Sequence, residues 1–247
     1  MPRPAPASSS LTQDVYERLR ADLLACRLRP GVRLKIGELC KALQVSLSAV
    51  REALSRLTSE GLVIAEPQRG FRAAPISAEE LRDLTAVRAQ IEGLCLDRAI
   101  AAGDVAWEAQ LVAAFHRLSR TPEREPDDAQ RMSEAWSTAH AAYHEALVGA
   151  CDSPWLLRLR GLLYAQSERY RRLSVPLAEI ERDLNREHQA IMTAALDRDA
   201  PRARALMADH LELTTRVLLD QSWPADVLPG AAPRGIGSDA GTVASAA

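Results

Sequence analysis

The chain holds five histidines, and two of them, His140 and His144, stand four residues apart in "HAAYHEALVGA". On a helix that spacing stacks both rings on one face, so the pair could be a metal clamp, a catalytic dyad or part of a packed core. Trp136, His140, Tyr143, His144 and Leu147 recur at helical intervals and form one stripe. Ile180, Leu184, His188, Ile191 and Ala195 form a second, and Ala203, Met207, His210, Leu213 and Val217 a third. His116 lies beside the stripe of Trp107, Leu111, Phe115 and Leu118 rather than on it. Four histidines therefore share apolar, inward faces. A lone inward histidine is ordinarily a hydrogen-bonded core residue. Four neutral imidazoles buried together need something to satisfy their nitrogens, and a divalent cation does so at once. His140, His144, His188 and His210 are thus the expected ligands of one divalent transition metal.

Arg88 raises a second question, because Leu81, Leu84, Arg88, Ile91 and Cys95 put an arginine on an apolar face. It is either an internal ion pair, most easily with Glu92 one turn on, or a fork that grips a ligand carboxylate. Asn185 joins it as a candidate effector contact. A small metal-dependent hydrolase using the same histidines is the rival reading. It needs a base, and the nearest in sequence, Glu187, points about 100° away from His188 around an ideal helix. No H-E-x-x-H, Ser/His/Asp pattern or Gly-rich phosphate loop accompanies the cluster.

The elements that must position these residues are helical. "SAEE" at Ser77 and Glu80 is a capping box that opens a helix to about Ala102, and helices follow at roughly 104–120, 131–150, 154–173, 176–198 and 200–221. No strand signal is legible after Ile76. Before it, "LTQDVYERLRADLLACRL" places Val15, Leu19, Asp22 or Leu23, and Cys26 along one stripe, and "RPG" ends it. "IGELCKALQV" is a second helix and "SLSAVREALSRLTSEGL" a third, with Ser46 as N-cap and Gly61 at its end. "LVIAEPQRGFRAAPI" is a hairpin turning at "PQRG". The fold class is mainly α: an N-terminal winged helix-turn-helix, residues 11–76, then an all-α bundle, residues 77–222. "MPRPAPASSS" (1–10) reads as a disordered arm and 223–247 as a disordered tail.

Apolar residues make up 47% of the 247 and charged ones 26%, which suits globular domains with cores of their own. The four cysteines form no C-x-x-C pair, as expected of reduced thiols in the cytoplasm. No signal peptide and no membrane span are expected. The net charge of −2 hides an asymmetry: residues 1–76 carry 12 Arg and Lys against 7 Asp and Glu. A basic front end on an acidic body points to a polyanion-binding module joined to something else.

Helix–turn–helix–hairpin with a basic balance reads as a winged helix whose third helix enters a major groove. Ser46, Leu47, Ser48 and Arg51 lie on its first turns and Arg56 further along; Arg51 can meet a guanine edge with two hydrogen bonds. Arg69 and Gly70 at the hairpin tip suit a minor-groove or phosphate contact.

Here a resemblance becomes specific. "LRPGVRLKIGELCKALQVSLSAVREALSRLTSEGLVIAEPQRGFRAAPIS" resembles the DNA-binding domain of the GntR family of bacterial transcriptional regulators. The matching elements are Arg29-Pro30-Gly31, Glu38-Leu39, Val45-Ser46, Val50-Arg51-Glu52-Ala53-Leu54, Glu60-Gly61-Leu62 and Arg69-Gly70-Phe71. Residues 77–222 resemble the all-helical FCD effector domain of the FadR subfamily. The resemblance implies a ligand-responsive regulator, by default a repressor, that binds an inverted-repeat operator in double-stranded DNA as a homodimer. In metal-binding FCD domains an Asp and a His four apart join a His on each of the last two helices. His144, His188 and His210 match, and His140 stands where the aspartate usually is. Four neutral donors favour zinc, with nickel or another such metal as alternatives, and welcome a small carboxylate effector. The family usually has Arg-Thr-Pro after Val-Ser; this chain has Leu47-Ser48-Ala49, so Leu47 sits where an arginine commonly contacts DNA.

Overall fold

The computed structural model describes residues 8–174 and 182–220. The expected tail, 223–247, and the first seven residues of the expected arm lie outside them; at Ser8 the chain is already helical. Helix α1 (Ser8–Leu24) buries Val15, Leu19 and Leu23, spaced one turn apart. A two-residue strand β1 (Arg33–Leu34) leads into α2 (Ile36–Leu43). Gln44 ends α2 in the left-handed region at φ 54°, and Ser46 caps α3 (Leu47–Ser59) by accepting the backbone N–H of Ala49. Gly61 ends this helix at φ +71°, where a side chain would be strained.

The wing is β2 (Val63–Glu66) and β3 (Gly70–Ala73), antiparallel with Glu66 opposite Gly70. Strand β1 adds to its other edge, giving the order β1-β3-β2. That third strand was not legible because two residues carry no alternation; Arg33 simply pairs with Arg72 and Leu34 with Phe71. The core of this domain is apolar: Val15, Leu19, Leu23, Val50, Leu54, Leu57, Leu62 and their neighbours.

The bundle begins at α4 (Ala78–Ala102), whose N-cap Ser77 accepts the N–H of Glu80. Glu80 does not return the bond. Tyr170 stands between, accepting the Ser77 N–H and donating to the Glu80 carboxylate. There follow α5 (Val105–Arg120), α6 (Glu134–Leu147, capped by Ser133), α7 (Pro154–Ser174), α8 (Leu184–Leu196) and α9 (Ala200–Leu219). Between α5 and α6 runs a hairpin, β4 (Arg124–Glu125) and β5 (Asp128–Met132). The bundle is helical as expected, and this short hairpin is an addition to it for which no strand signal was legible. "REPDDAQRM" offers one large apolar residue, Met132, so no alternating pattern announced it.

Helix α7 joins the two parts. Gln166 donates to the Glu60 carbonyl at the end of α3 (2.8 Å), and the Arg169 guanidinium donates to the Ala74 carbonyl just past the wing. The Cys26 thiol donates to the Arg169 carbonyl (3.4 Å). Ile76, Leu81, Leu84, Tyr170 and Leu218 form a small apolar cluster beside this joint. No helix among the described residues is long and apolar enough to cross a membrane.

Candidate functional site

Helix α6 delivers His140 and His144 one turn apart; α8 and α9 deliver His188 and His210. All four are buried. One nitrogen from each ring lies within 4.8 Å of the corresponding nitrogen of every other. His140 Nε2 and His144 Nε2 are 3.2 Å apart, near the roughly 3.4 Å edge of a tetrahedron with zinc–nitrogen bonds of about 2.05 Å. Trp136 stacks on His140 at 4.7 Å between centroids and fixes its ring plane.

Burial drives all four imidazoles below their ordinary range, and the neighbouring rings and arginines add to it for His140, His144 and His188. For His210 a hydrogen bond to Glu187 partly offsets the effect of burial. The cluster is therefore neutral, with lone pairs available. Their satisfaction is uneven. His140 Nδ1 meets the Tyr164 hydroxyl at 3.2 Å and His210 Nδ1 meets Glu187 at 2.8 Å. His144 Nδ1 and both nitrogens of His188 find no protein partner. Buried imidazole nitrogens rarely stay unpaired, so the donor set fits a borderline-soft divalent cation.

Beside the cluster lies a cavity of about 140 Å³, a volume that admits a benzene-sized guest. Arg88, His140, His144, Tyr164, Arg171 and His210 line it, and Glu123, Arg124 and Met132 bring the β4–β5 hairpin to one end. Arg88 forms the expected internal ion pair with Glu92 at 3.3 Å and also lines the cavity. The pairing is shared. Arg160 takes the other Glu92 oxygen at 2.7 Å and donates to the His144 carbonyl. Two buried guanidiniums on one carboxylate leave the wall with surplus positive charge. Asn185 is a correction: it is exposed and absent from the lining, because Leu184, its neighbour on α8, takes the inward direction.

Sequence reasoning missed Tyr164, Glu168, Arg171 and Arg182 in the lining. The "YAQSERYRR" run reads as an exposed polar face. Glu168 is instead buried and held in its charged form, as Arg171 and Ser137 hydrogen bonds outweigh the cost of burial. Only a repeat of charge at i, i+3 and i+4 hinted at it.

In the front domain Ser46, Leu47, Ser48 and Arg51 are all exposed on the first turns of α3. Ser46 and Ser48 hydroxyls lie 3.0 Å apart. Arg69 and Gly70 (φ +89°) sit exposed at the wing tip. Arg56 is exposed further along α3; its guanidinium lies 3.9 Å over the Tyr16 ring and donates to Gln13, tying α3 to α1.

The bacterial regulatory protein, gntR family, domain matches residues 11–72, and the FCD domain matches residues 83–213. The HTH-type transcriptional regulator BphR of Paraburkholderia xenovorans is 40% identical over 88% of this chain and 89% of its own length. The chain belongs to the GntR family of bacterial transcriptional regulators. The HTH-type transcriptional repressor GlaR of Escherichia coli is 35% identical over 85% of this chain and 96% of its own. In fold, this GntR-family chain is similar to Escherichia coli McbR/YncC (TM-score 0.68, 20% identity, 84% of this chain and 96% of that one). It is similar also to a GntR regulator from Rhodococcus sp. RHA1 (TM-score 0.67, 23% identity, 85% and 98%). It is thus a DNA-binding transcriptional regulator rather than an enzyme, which removes the hydrolase reading.

Proposed function

We propose that this GntR-family regulator is a metal-dependent sensor of a small organic acid, and that the acid releases repression. His188 carries the reading: a fully buried ring with neither nitrogen paired, facing three other neutral imidazoles. A zinc ion, or nickel in its place, would satisfy those nitrogens and supply a Lewis-acidic position for an anion. Arg88 favours the same kind of guest, since Glu92 is already shared with Arg160. A cavity of about 140 Å³ suits a small guest of that kind.

Ser46, Leu47, Ser48 and Arg51 present a major-groove reading surface, while Arg69 and Gly70 present the wing to the backbone or minor groove. Two copies would match an inverted-repeat operator. Val87 and Leu94 on α4, with Trp155, Leu159 and Leu162 on the adjoining α7, are exposed large apolar side chains that favour self-pairing. Helix α7 supplies the link: Tyr164, Glu168 and Arg171 face the cavity, while Gln166 and Arg169 hold the front domain. A ligand with different affinity for two settings of α7 would shift operator affinity. The repressor sign follows the relative GlaR, and operator binding sets the place of action in the bacterial cytoplasm.

The test is protein purified without chelators, assayed for metal and then by gel shift on the gene's own upstream DNA. About one zinc or nickel per chain, with a complex dissociated by one of a panel of organic acids, is expected. Metal-free protein with no melting shift on adding zinc or nickel overturns the metal reading. The histidines would then line a pocket that recognises its ligand by hydrogen bonds alone.

A further inference from the structure

On an ideal helix, neighbours diverge by about 100°, so Glu187 cannot face where His188 faces. Its carboxylate nevertheless reaches the histidine cluster, because α9 packs alongside α8 and brings His210 to the Glu187 side. Glu187 Oε2 lies 2.8 Å from His210 Nδ1. Arg182 holds the carboxylate from behind, donating through Nε (2.7 Å) and Nη2 (2.5 Å). The same guanidinium donates to the His210 carbonyl (3.0 Å) and to the Thr214 hydroxyl (2.8 Å). Arg182 and Glu187 therefore clamp the ring and backbone of His210 together.

We propose that Glu187 is the positioning residue of the metal centre, fixing His210 as its pre-oriented ligand. This rests on the metal reading above. Arg182 Nη2 also lies 3.3 Å from Nδ1, but the Glu187 carboxylate is closer at 2.8 Å and, ionised, can only accept, so the ring proton stays on Nδ1 and the lone pair on Nε2. None of the other three rings has a carboxylate partner among the described residues: His140 meets a tyrosine hydroxyl, and His144 and His188 keep unpaired nitrogens. The cluster thus has one ring whose tautomer a carboxylate sets, a second, His140, held by Trp136 and the Tyr164 hydroxyl, and two, His144 and His188, with nitrogens that no protein group pairs. Arg182 belongs to this device as well as to the cavity wall, and orients the acid.

The full chain is compared with Glu187→Ala and Glu187→Gln by two readouts. Zinc affinity is measured by competition with a chromophoric chelator. The tautomer of His210 is read by nitrogen-15 NMR in metal-stripped protein, with melting of that stripped protein recorded alongside. Glu187→Ala is expected to weaken zinc binding about 10–100-fold and to lose the single Nδ1–H tautomer. Glu187→Gln, whose amide oxygen can still accept, is expected to keep the tautomer and lose less affinity. Native zinc affinity in Glu187→Ala, or an unchanged His210 tautomer there, overturns the proposal alone. A native chain that binds no zinc overturns the metal reading, and the positioning role with it. If Glu187→Ala proves too unstable to measure, Glu187→Gln decides: equal loss in both readouts, with no retained tautomer, counts against the hydrogen bond as the cause.

Discussion

From Val15 to Ala73 the buried side chains of the winged domain are apolar throughout, whereas the bundle buries four histidines, three arginines, two glutamates and several hydroxyls among its described residues. Each part puts its chemistry where its task requires. A DNA reader works on its outer surface, so its interior need only hold α3 and the wing rigid, and apolar packing does that without desolvating a polar group. A sensor must separate a small guest from water, so its polar groups go inside and must be paired there. Arg88, Arg160 and Glu92 pair among themselves; His188 does not. On the proposed function, polar burial marks the half that would receive a ligand.

The largest test of this contrast is metal removal. Free zinc at a hundred times its dissociation constant should stabilise the bundle by about 2.7 kcal/mol, since the unfolded chain offers no assembled site. Stripping it should lower the bundle's melting temperature, and His188→Ala should abolish the shift on re-addition. Operator affinity of the stripped protein measured without effector should change far less. A similar loss in both would mean that the two halves do not divide their labour this way. Arg51→Ala is the mirror image, expected to lose roughly 1–3 kcal/mol of base discrimination in a binding-site selection. Its zinc-dependent melting shift should match the native chain. His140→Asp should move preference toward harder metals by about tenfold, restoring a carboxylate to the ligand set. Competitive loading with zinc and manganese measures it, and an unchanged ratio would place His140 outside the coordination sphere.

The two halves also differed in what the sequence disclosed. In the winged domain, helix caps and turn residues are local signals, and Ser46, Gly61 and the "PQRG" turn stand where they were expected. Strand β1 escaped because it exists only through pairing with β3, a partner nearly forty residues on. In the bundle the histidine stripes were legible from helical period alone, since burial follows the face. Their partners were not. Glu187 and Arg182 meet His210 only because α8 and α9 lie side by side, and no spacing along one helix records that contact. The contact of Arg56 with Tyr16 escaped for a related reason: it joins α3 to α1, forty residues apart in the chain.

The finest distinction within the reading surface is at Leu47. It is 53% exposed at the first turn of α3, an apolar side chain that its own domain does not use for packing. An exposed leucine beside Arg51 can touch a thymine methyl but offers no hydrogen bond to guanine. Replacing it should therefore cost the native operator little, about 1 kcal/mol or less for the lost apolar contact. Leu47→Arg should instead change which sequence is selected from random DNA, gaining guanine at the base facing the new guanidinium. Fold and zinc response should be untouched, because nothing buried changes. If the native chain and Leu47→Arg select the same sequence, position 47 is not read. The reading surface would then narrow to Arg51 and its serine neighbours, and the exposure of Leu47 would need an explanation other than DNA.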